Sequence, residues 1–399
     1  MASALEILAS DSATSARAGL LHTAHGDVRT PAFVPLATKA SVRGLLPAEV
    51  SQLGYDIVLG NTFHLHLNPG DELIAARGGL HEFMRWDGPI ITDSGGFQVF
   101  SMGHGTVADE IKGRAPSGPD RAGKVLGIEE EGVHYRSYMD GSKRFMGPED
   151  SMRIQANLGS DIALVFDECT PFNVERDYTA RSTERSHRWL DRCLEWHGEN
   201  GPDAQMVYGI VQGGVYEDLR RESTEQIAAR PCDGIAIGGS LGEHKQQMYE
   251  VVGWATDVLN GAGDLRPRHL LGIGEIDDLI SGVEMGIDSF DCVMPTRLGR
   301  HGVALVPDPE NRWRVDLTTA RWTNSDEPLM EGCPCPACEV GYSRSYLRYM
   351  AKARELTAMR LLTIHNLAFV ERVMARLRSA IIDGDLTAVA ARLRAGEAP

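Results

Sequence analysis

Eight short apolar runs, each closing on a polar residue or a glycine and each leading into an amphipathic stretch, constrain this chain most strongly. They read AFVPLAT (32–38), YDIVLGNT (55–62), PIITDSGG (89–96), DIALVFDE (161–168), MVYGIVQGG (206–214), GIAIGGS (234–240), HLLGIGE (269–275) and GIDSFDCV (286–293). Short Val/Ile/Leu-rich runs of this kind predict buried strands. The segments between them, such as GPEDSMRIQANLG, DLRRESTEQIAAR and HKQQMYEVVGWATDVLN, predict helices. Eight β-then-α units across about 260 residues have the length and rhythm of an α/β fold of the (β/α)8 TIM-barrel type. An open doubly wound sheet is the alternative, but no GxGxxG opens a helix at the first βα turn.

Beyond the eighth run, Cys333, Cys335 and Cys338 form a CPCPAC cluster, and His365 follows in the helical-looking run AMRLLTIHNLAFV. Three thiolates and one imidazole make a closed Cys3His tetrahedron, the usual form of a structural zinc site, because a catalytic zinc keeps a position open for water. The competing reading is four unrelated residues, or a labile disulfide between neighbours. The ligand chemistry favours one structural Zn2+ per chain. The other four cysteines, Cys169, Cys193, Cys232 and Cys292, are scattered. That fits a reducing cytosol better than a disulfide framework.

These features divide the chain. Residues 1–30 alternate around a turn in LLHTAHGDVRTPAF and predict a hairpin region packed on the barrel floor. Residues 31–302 form the barrel, with an insertion rich in Gly, Pro and charge near 104–125. Residues 303–366 form the appended zinc-binding subdomain, opening with a hairpin-like pair, and 367–399 a helical tail. The N-terminus lacks a signal-peptide pattern and no run is long enough to span a bilayer, so a cytoplasmic location is expected.

The formal net charge is -16, which argues against a general nucleic-acid or membrane coat. The charge is uneven. From Asp291 onward there are 15 basic and 13 acidic residues, against 25 and 43 before it. An anionic partner should therefore dock mainly on the C-terminal portion.

Reactive groups in such a barrel stand where strands end. Reading off those ends gives Asp93, Asp167, Gln212, Gly238 with Gly239, and Asp291. Any one such aspartate is often just a helix cap, but polar groups on successive ends converge on one mouth. The set suits a purine-like heterocycle: carboxylates accept from ring N–H groups, while Gln and backbone N–H donate to a carbonyl. Phe97 offers a stacking face, and Ser94-Gly95-Gly96 let a flat ligand approach closely. Two carboxylates suffice for displacement at an anomeric carbon, one as nucleophile and one handling the proton. His64 and His66 have H-x-H spacing, but no matching carboxylate pattern accompanies them, and a barrel-rim role is expected.

The runs ITDSGGFQVFS, FDECTPF, YGIVQGGVYEDLR and GIDSFDCVMPTRLGRHG, with CPCPAC followed by TIHN, resemble bacterial-type tRNA-guanine transglycosylase, the queuine tRNA-ribosyltransferase family, over roughly residues 5 to 390. The resemblance implies a TIM barrel with a zinc-bearing C-terminal subdomain, usually a homodimer. It implies exchange of guanine at wobble position 34 of tRNAs with GUN anticodons for a 7-deazaguanine, in bacteria usually preQ1. Carried over, Asp291 matches the nucleophile and Asp93 the general acid/base. Asp93, Ser94, Gly95, Gly96, Phe97, Asp167, Gln212, Gly239 and Leu271 match the base pocket. Gly272, Ile273, Gly274, Glu275, Ile276, Asp277 and Asp278 resemble an RNA-contacting loop, and Thr296, Arg297, Leu298, Gly299 and Arg300 the part that grips the anticodon arm. Three departures stand out. IGGSLGE is one residue shorter than the usual GGLAVGE, residues 104–125 have no counterpart in shorter relatives, and Cys338 to His365 spans one position more than usual. A non-catalytic tRNA-binding partner subunit of the same fold is the alternative, and a sugar-cleaving glycosidase a further rival. Intact Asp93 and Asp291 motifs argue against the first, the zinc appendage against the second.

Overall fold

A computed structural model describes residues 4–99, 125–170, 174–239 and 241–399. The eight expected runs all contain strands of one parallel sheet. In chain order these are β4 (Ala32–Val34), β5 (Val58–Gly60), β6 (Ile90–Thr92), β10 (Ile162–Leu164), β11 (Met206–Val211), β12 (Gly234–Ile237), β13 (Arg268–Leu270) and β14 (Ser289–Asp291). Their spatial order is β4-β14-β13-β12-β11-β10-β6-β5, and a parallel bridge between Leu36 and Leu59 joins the two ends into a barrel. Most residues of these strands are buried, which explains continuous apolar runs in place of alternation.

The helices Pro148–Leu158, Glu217–Ala228 and Lys245–Gly261 coincide with three expected amphipathic segments, and a further helix, Ile276–Glu284, follows β13. After β14 the chain makes the helix Met294–Arg300 and the antiparallel pair β15 (Val303–Leu305) and β16 (Arg314–Asp316). The long helix Leu356–Asp383 then packs back against β4 and the N-terminal strands. It runs unbroken through residues 366 and 367, so the expected division between a zinc-binding subdomain and a helical tail is no break in secondary structure. A second helix, Leu386–Arg394, follows.

The N-terminal region is richer than one hairpin. Strands β1 (Leu5–Ser10), β2 (Arg17–Thr23) and β3 (Gly26–Thr30) form an antiparallel sheet. It is tied to residues that precede barrel strands. Arg17 donates twice to buried Asp288, at 2.8 and 2.6 Å, and Asp288 also accepts from the Arg268 N–H. Asp161, buried beneath β10, accepts from the His25 backbone and ring and from the Ile90 N–H. His25 and His81 stack at 3.6 Å with their planes 17° apart beside this carboxylate. Near-parallel rings do not aim their in-plane lone pairs at one ion, so the group is a shared hydrogen-bonded carboxylate.

The expected insertion at 104–125 lies, apart from Val125, outside the described residues. A three-stranded antiparallel sheet follows it: β7 (Val125–Ile128), β8 (Val133–Arg136) and β9 (Lys143–Met146). The sequence reading did not anticipate this sheet, although the Asp140-Gly141 turn between alternating segments is a hairpin signal.

Candidate active site and metal centre

Strand ends bring the polar groups together. Asp93 directly follows β6. Its carboxylate accepts the Thr62 N–H at 2.8 Å, the Gln98 amide at 3.1 Å and the Asn61 amide. Burial, with a further contribution from the nearby Asp291 charge, pushes its pKa up to about 7. Asp167, beyond β10, accepts from Ser94 Oγ at 3.0 Å and from the Gln212 amide at 2.5 Å, and burial raises it to about 6. Gly96 makes the juxtaposition sterically possible, since a Cβ there would lie 2.7 Å from the Asp167 carbonyl oxygen. Gly95 has φ +79°, and helix geometry begins at Gly96 and carries half-buried Phe97.

Gln212 follows β11 and Gly239 follows β12, with φ +74°. A Cβ at Gly239 would come 2.3 Å from the Gln212 side-chain oxygen, so a side chain there would strike the very group it stands beside. Leu271 follows β13 and flanks Gly238. At the end of β14, Asp291 is held on one oxygen: Oδ1 accepts the Gly272 N–H at 3.0 Å and lies 3.2 Å from His269 Nε2.

Several holding groups were missed from the sequence. Asn61 and Thr62 follow β5 and fix Asp93; their signal was the polar end of YDIVLGNT. His269 lies inside HLLGIGE, where nothing in the sequence signals its role. Arg220 lies in the amphipathic segment DLRRESTEQIAAR, where the sequence gives no sign of its role. It is fully buried, donating to the carbonyls of Val211, Gly214 and Gly238 and so tying the ends of β11 and β12 together. Burial lowers its pKa to about 10, which leaves it charged at neutral pH.

The segments expected to meet RNA divide. Gly272, at φ +75°, is exposed and serves Asp291 through its N–H. Ile273 is half-buried, and Gly274 packs where a Cβ would meet Cys292 at 2.5 Å. Glu275 pairs with Arg312 and Arg314, Ile276 is buried, Asp277 accepts from Trp313 and Lys245, and Asp278 from Tyr249. Those four side chains are therefore engaged within the chain. Thr296 and Gly299 are buried; Gly299 seats its helix against the long helix, where a Cβ would meet the Thr363 nitrogen at 2.6 Å. Leu298 is half-buried, Arg297 exposed and Arg300 half-buried. Burial lowers the Arg300 pKa, and the adjacent charges of Arg43 and Arg297 lower it further, so Arg43 joins this cationic patch.

His64 and His66 have separate partners, Tyr138 at 2.9 Å and Asp71 at 2.7 Å, as rim residues would.

The Cys3His group is assembled. His365 Nδ1 lies 3.7, 3.3 and 3.5 Å from the sulfurs of Cys333, Cys335 and Cys338. Zn–S and Zn–N bonds in a tetrahedron set that edge at about 3.6 Å. The other ring nitrogen, Nε2, donates to the Leu305 carbonyl at 2.8 Å, which leaves the Nδ1 lone pair free for a metal. Asn366, next in the helix, accepts from Leu305 N–H and donates to Pro295 and Val303 carbonyls. These four side chains thus sit in the same knot that seats β15 and the helix Met294–Arg300.

A parallel barrel with carboxylates gathered at the strand ends is the architecture of a TIM-barrel enzyme. A family model described as queuine tRNA-ribosyltransferase matches residues 11–398. The chain is 50% identical over 393 residues to the queuine tRNA-ribosyltransferase of Roseiflexus sp. (strain RS-1), covering 96% of this chain and 97% of that one. It is 45% identical to that of Solidesulfovibrio magneticus, covering 96% and 95%, and 44% identical to that of Pelotomaculum thermopropionicum, covering 96% of each. The chain belongs to the queuine tRNA-ribosyltransferase family, and its enzyme class is that of the pentosyltransferases.

Proposed function

We propose that this protein is a tRNA-guanine transglycosylase that exchanges guanine at wobble position 34 of GUN-anticodon tRNAs for a 7-deazaguanine, preQ1. The observation that carries the reading is the gathering of Asp93, Asp167, Gln212, Gly239 and Asp291 on successive strand ends. An Asp291 oxygen attacks C1′ of the ribose as the C1′–N9 bond breaks and its electron pair leaves with guanine. Asp93, with a pKa near neutrality, supplies the proton to the leaving base and takes one from the incoming base, whose nitrogen then displaces Asp291. Asp167 accepts from base N–H groups, while Gln212 and the Gly239 N–H donate to its carbonyl. The choice of preQ1 rests on the resemblance, and the shortened loop after Gly239 lines the side where the 7-substituent would sit.

Cys333, Cys335, Cys338 and His365 hold one zinc in this reading, because three sulfurs and one nitrogen at these separations suit it and leave no open position for catalysis. The anticodon arm of tRNA docks on the patch of Arg43, Arg297 and Arg300, and the enzyme works in the cytoplasm. Among the described residues no helix is long and apolar enough to cross a membrane. A homodimer belongs to the same reading, supported by the solvent-exposed Tyr346 and Tyr349 on the helix Arg344–Lys352. Incubating unmodified tRNA with labelled guanine tests the central activity. Incorporation at the wobble position is expected. Binding without incorporation would make the chain a partner subunit, and cleavage of simple glycosides instead would make it a glycosidase.

A further inference from the structure

His269 occupies an unusual place for a basic side chain: it is fully buried, on the strand next to the one that ends in Asp291. In the parallel register of β13 and β14, His269 pairs with Ser289, and Asp291 lies two residues further on the same face. The ring spans the pair. Nδ1 lies 2.8 Å from Ser289 Oγ, and Nε2 lies 3.2 Å from Asp291 Oδ1. An ionised carboxylate can only accept, so Nε2 carries a hydrogen, and in the tautomer that leaves Nδ1 bare, Nδ1 accepts from the Ser289 hydroxyl. Serine thereby sets the tautomer, and the tautomer sets the donor.

The Gly272 N–H donates to the same oxygen at 3.0 Å. Two donors on Oδ1, and none recorded on Oδ2 among the described residues, divide the carboxylate into a held atom and an available one. We infer that His269, oriented by Ser289, is a positioning residue that turns Asp291 so that Oδ2 is the oxygen that attacks the ribose.

This inference rests on the nucleophilic role proposed for Asp291. The atoms balance simply. An Oδ2 lone pair forms the bond to C1′, the C1′–N9 pair departs with guanine, and Oδ1 becomes the ester carbonyl oxygen. That oxygen keeps both hydrogen bonds through the step, so neither donor must move while the bond forms. When the incoming base displaces the ester, the same two donors receive the regenerated carboxylate in place.

The test is single-turnover formation of the protein–tRNA adduct with the exchanging base withheld, on the full-length protein. His269→Phe keeps the bulk and removes the donor. It is expected to slow adduct formation about tenfold to a hundredfold, the range for one hydrogen bond to a charged group, with tRNA affinity unchanged. His269→Gln restores an N–H donor and should recover most of the rate. Ser289→Ala leaves the imidazole but frees the tautomer, and should give an intermediate loss. A purely structural histidine would lower folded yield and affinity without rescue by Gln, and that pattern would overturn the inference. So would wild-type rates in His269→Phe. Asp291→Asn separates the two levels. If it forms no adduct while His269→Phe behaves as wild type, the positioning role fails and the nucleophile stands. If it exchanges normally, the underlying reading fails.

Discussion

Asp93 and Asp167 carry the pH dependence that an acidic pocket of this kind imposes on its own protein. Burial raises both carboxyls above the ordinary range, to about 7 and about 6. The folded state therefore holds these protons more tightly than the unfolded chain does. Their contribution to stability is fully present below the unfolded pKa of about 4 and is lost as pH rises through the folded values. Asp93→Asn stays neutral throughout, so its stability relative to wild type should climb between pH 5 and pH 8, by on the order of 2 kcal/mol for a group that keeps some solvent contact. Denaturant titrations at the two pH values measure this, and a gap that does not change with pH would contradict it. The polar side chains gathered at the barrel mouth were legible in the sequence, because strand ends are punctuated by polar residues. Their holders were not. Asn61, His269, Arg220 and the Gly272 amide act across gaps of 6 to 32 residues, and what each one touches depends on barrel register that a linear reading does not contain.

The element that most links the Cys3His group to the barrel is the helix Met294–Arg300. Gly299 lets it touch the long helix, and Asn366, adjacent to His365, holds the carbonyl of Pro295. Removing one thiolate with Cys335→Ser should lower the zinc content below about one per chain, loosen β15 and weaken tRNA binding, while the base pocket keeps its geometry. Elemental analysis and tRNA titration check this; metal-free protein with normal stability and affinity would contradict it. All eight barrel strands and the terminal helices were readable because buried parallel strands leave continuous apolar runs. The β7–β9 sheet was not, since its alternation is short and follows a segment rich in Gly and Pro. The third N-terminal strand was hidden for a similar reason: β2 and β3 are joined by only a tight turn at Ala24 and His25, so two strands read as the arms of one hairpin with β1 unseen.

At the scale of the whole molecule, a chain of net charge -16 must bind a polyanion through local positive charge. Many arginines are spent in ion pairs with neighbouring carboxylates, whereas Arg297 and Arg300 make no salt bridge among the described residues. Arg300→Ala should weaken tRNA binding and reduce the salt slope of log K by roughly 0.7 to 0.9, as release of one counterion requires, with free guanine binding unaltered. An unchanged slope would place the anticodon arm elsewhere. The central claim is that Asp291 joins this protein covalently to its RNA, and it is tested most directly by withholding the exchanging base, denaturing the mixture and mapping any protein–RNA adduct by mass spectrometry. The wild type should give an adduct on Asp291 that Asp291→Asn does not form. An adduct of equal yield in Asp291→Asn, or one mapped to a different residue, would contradict the account.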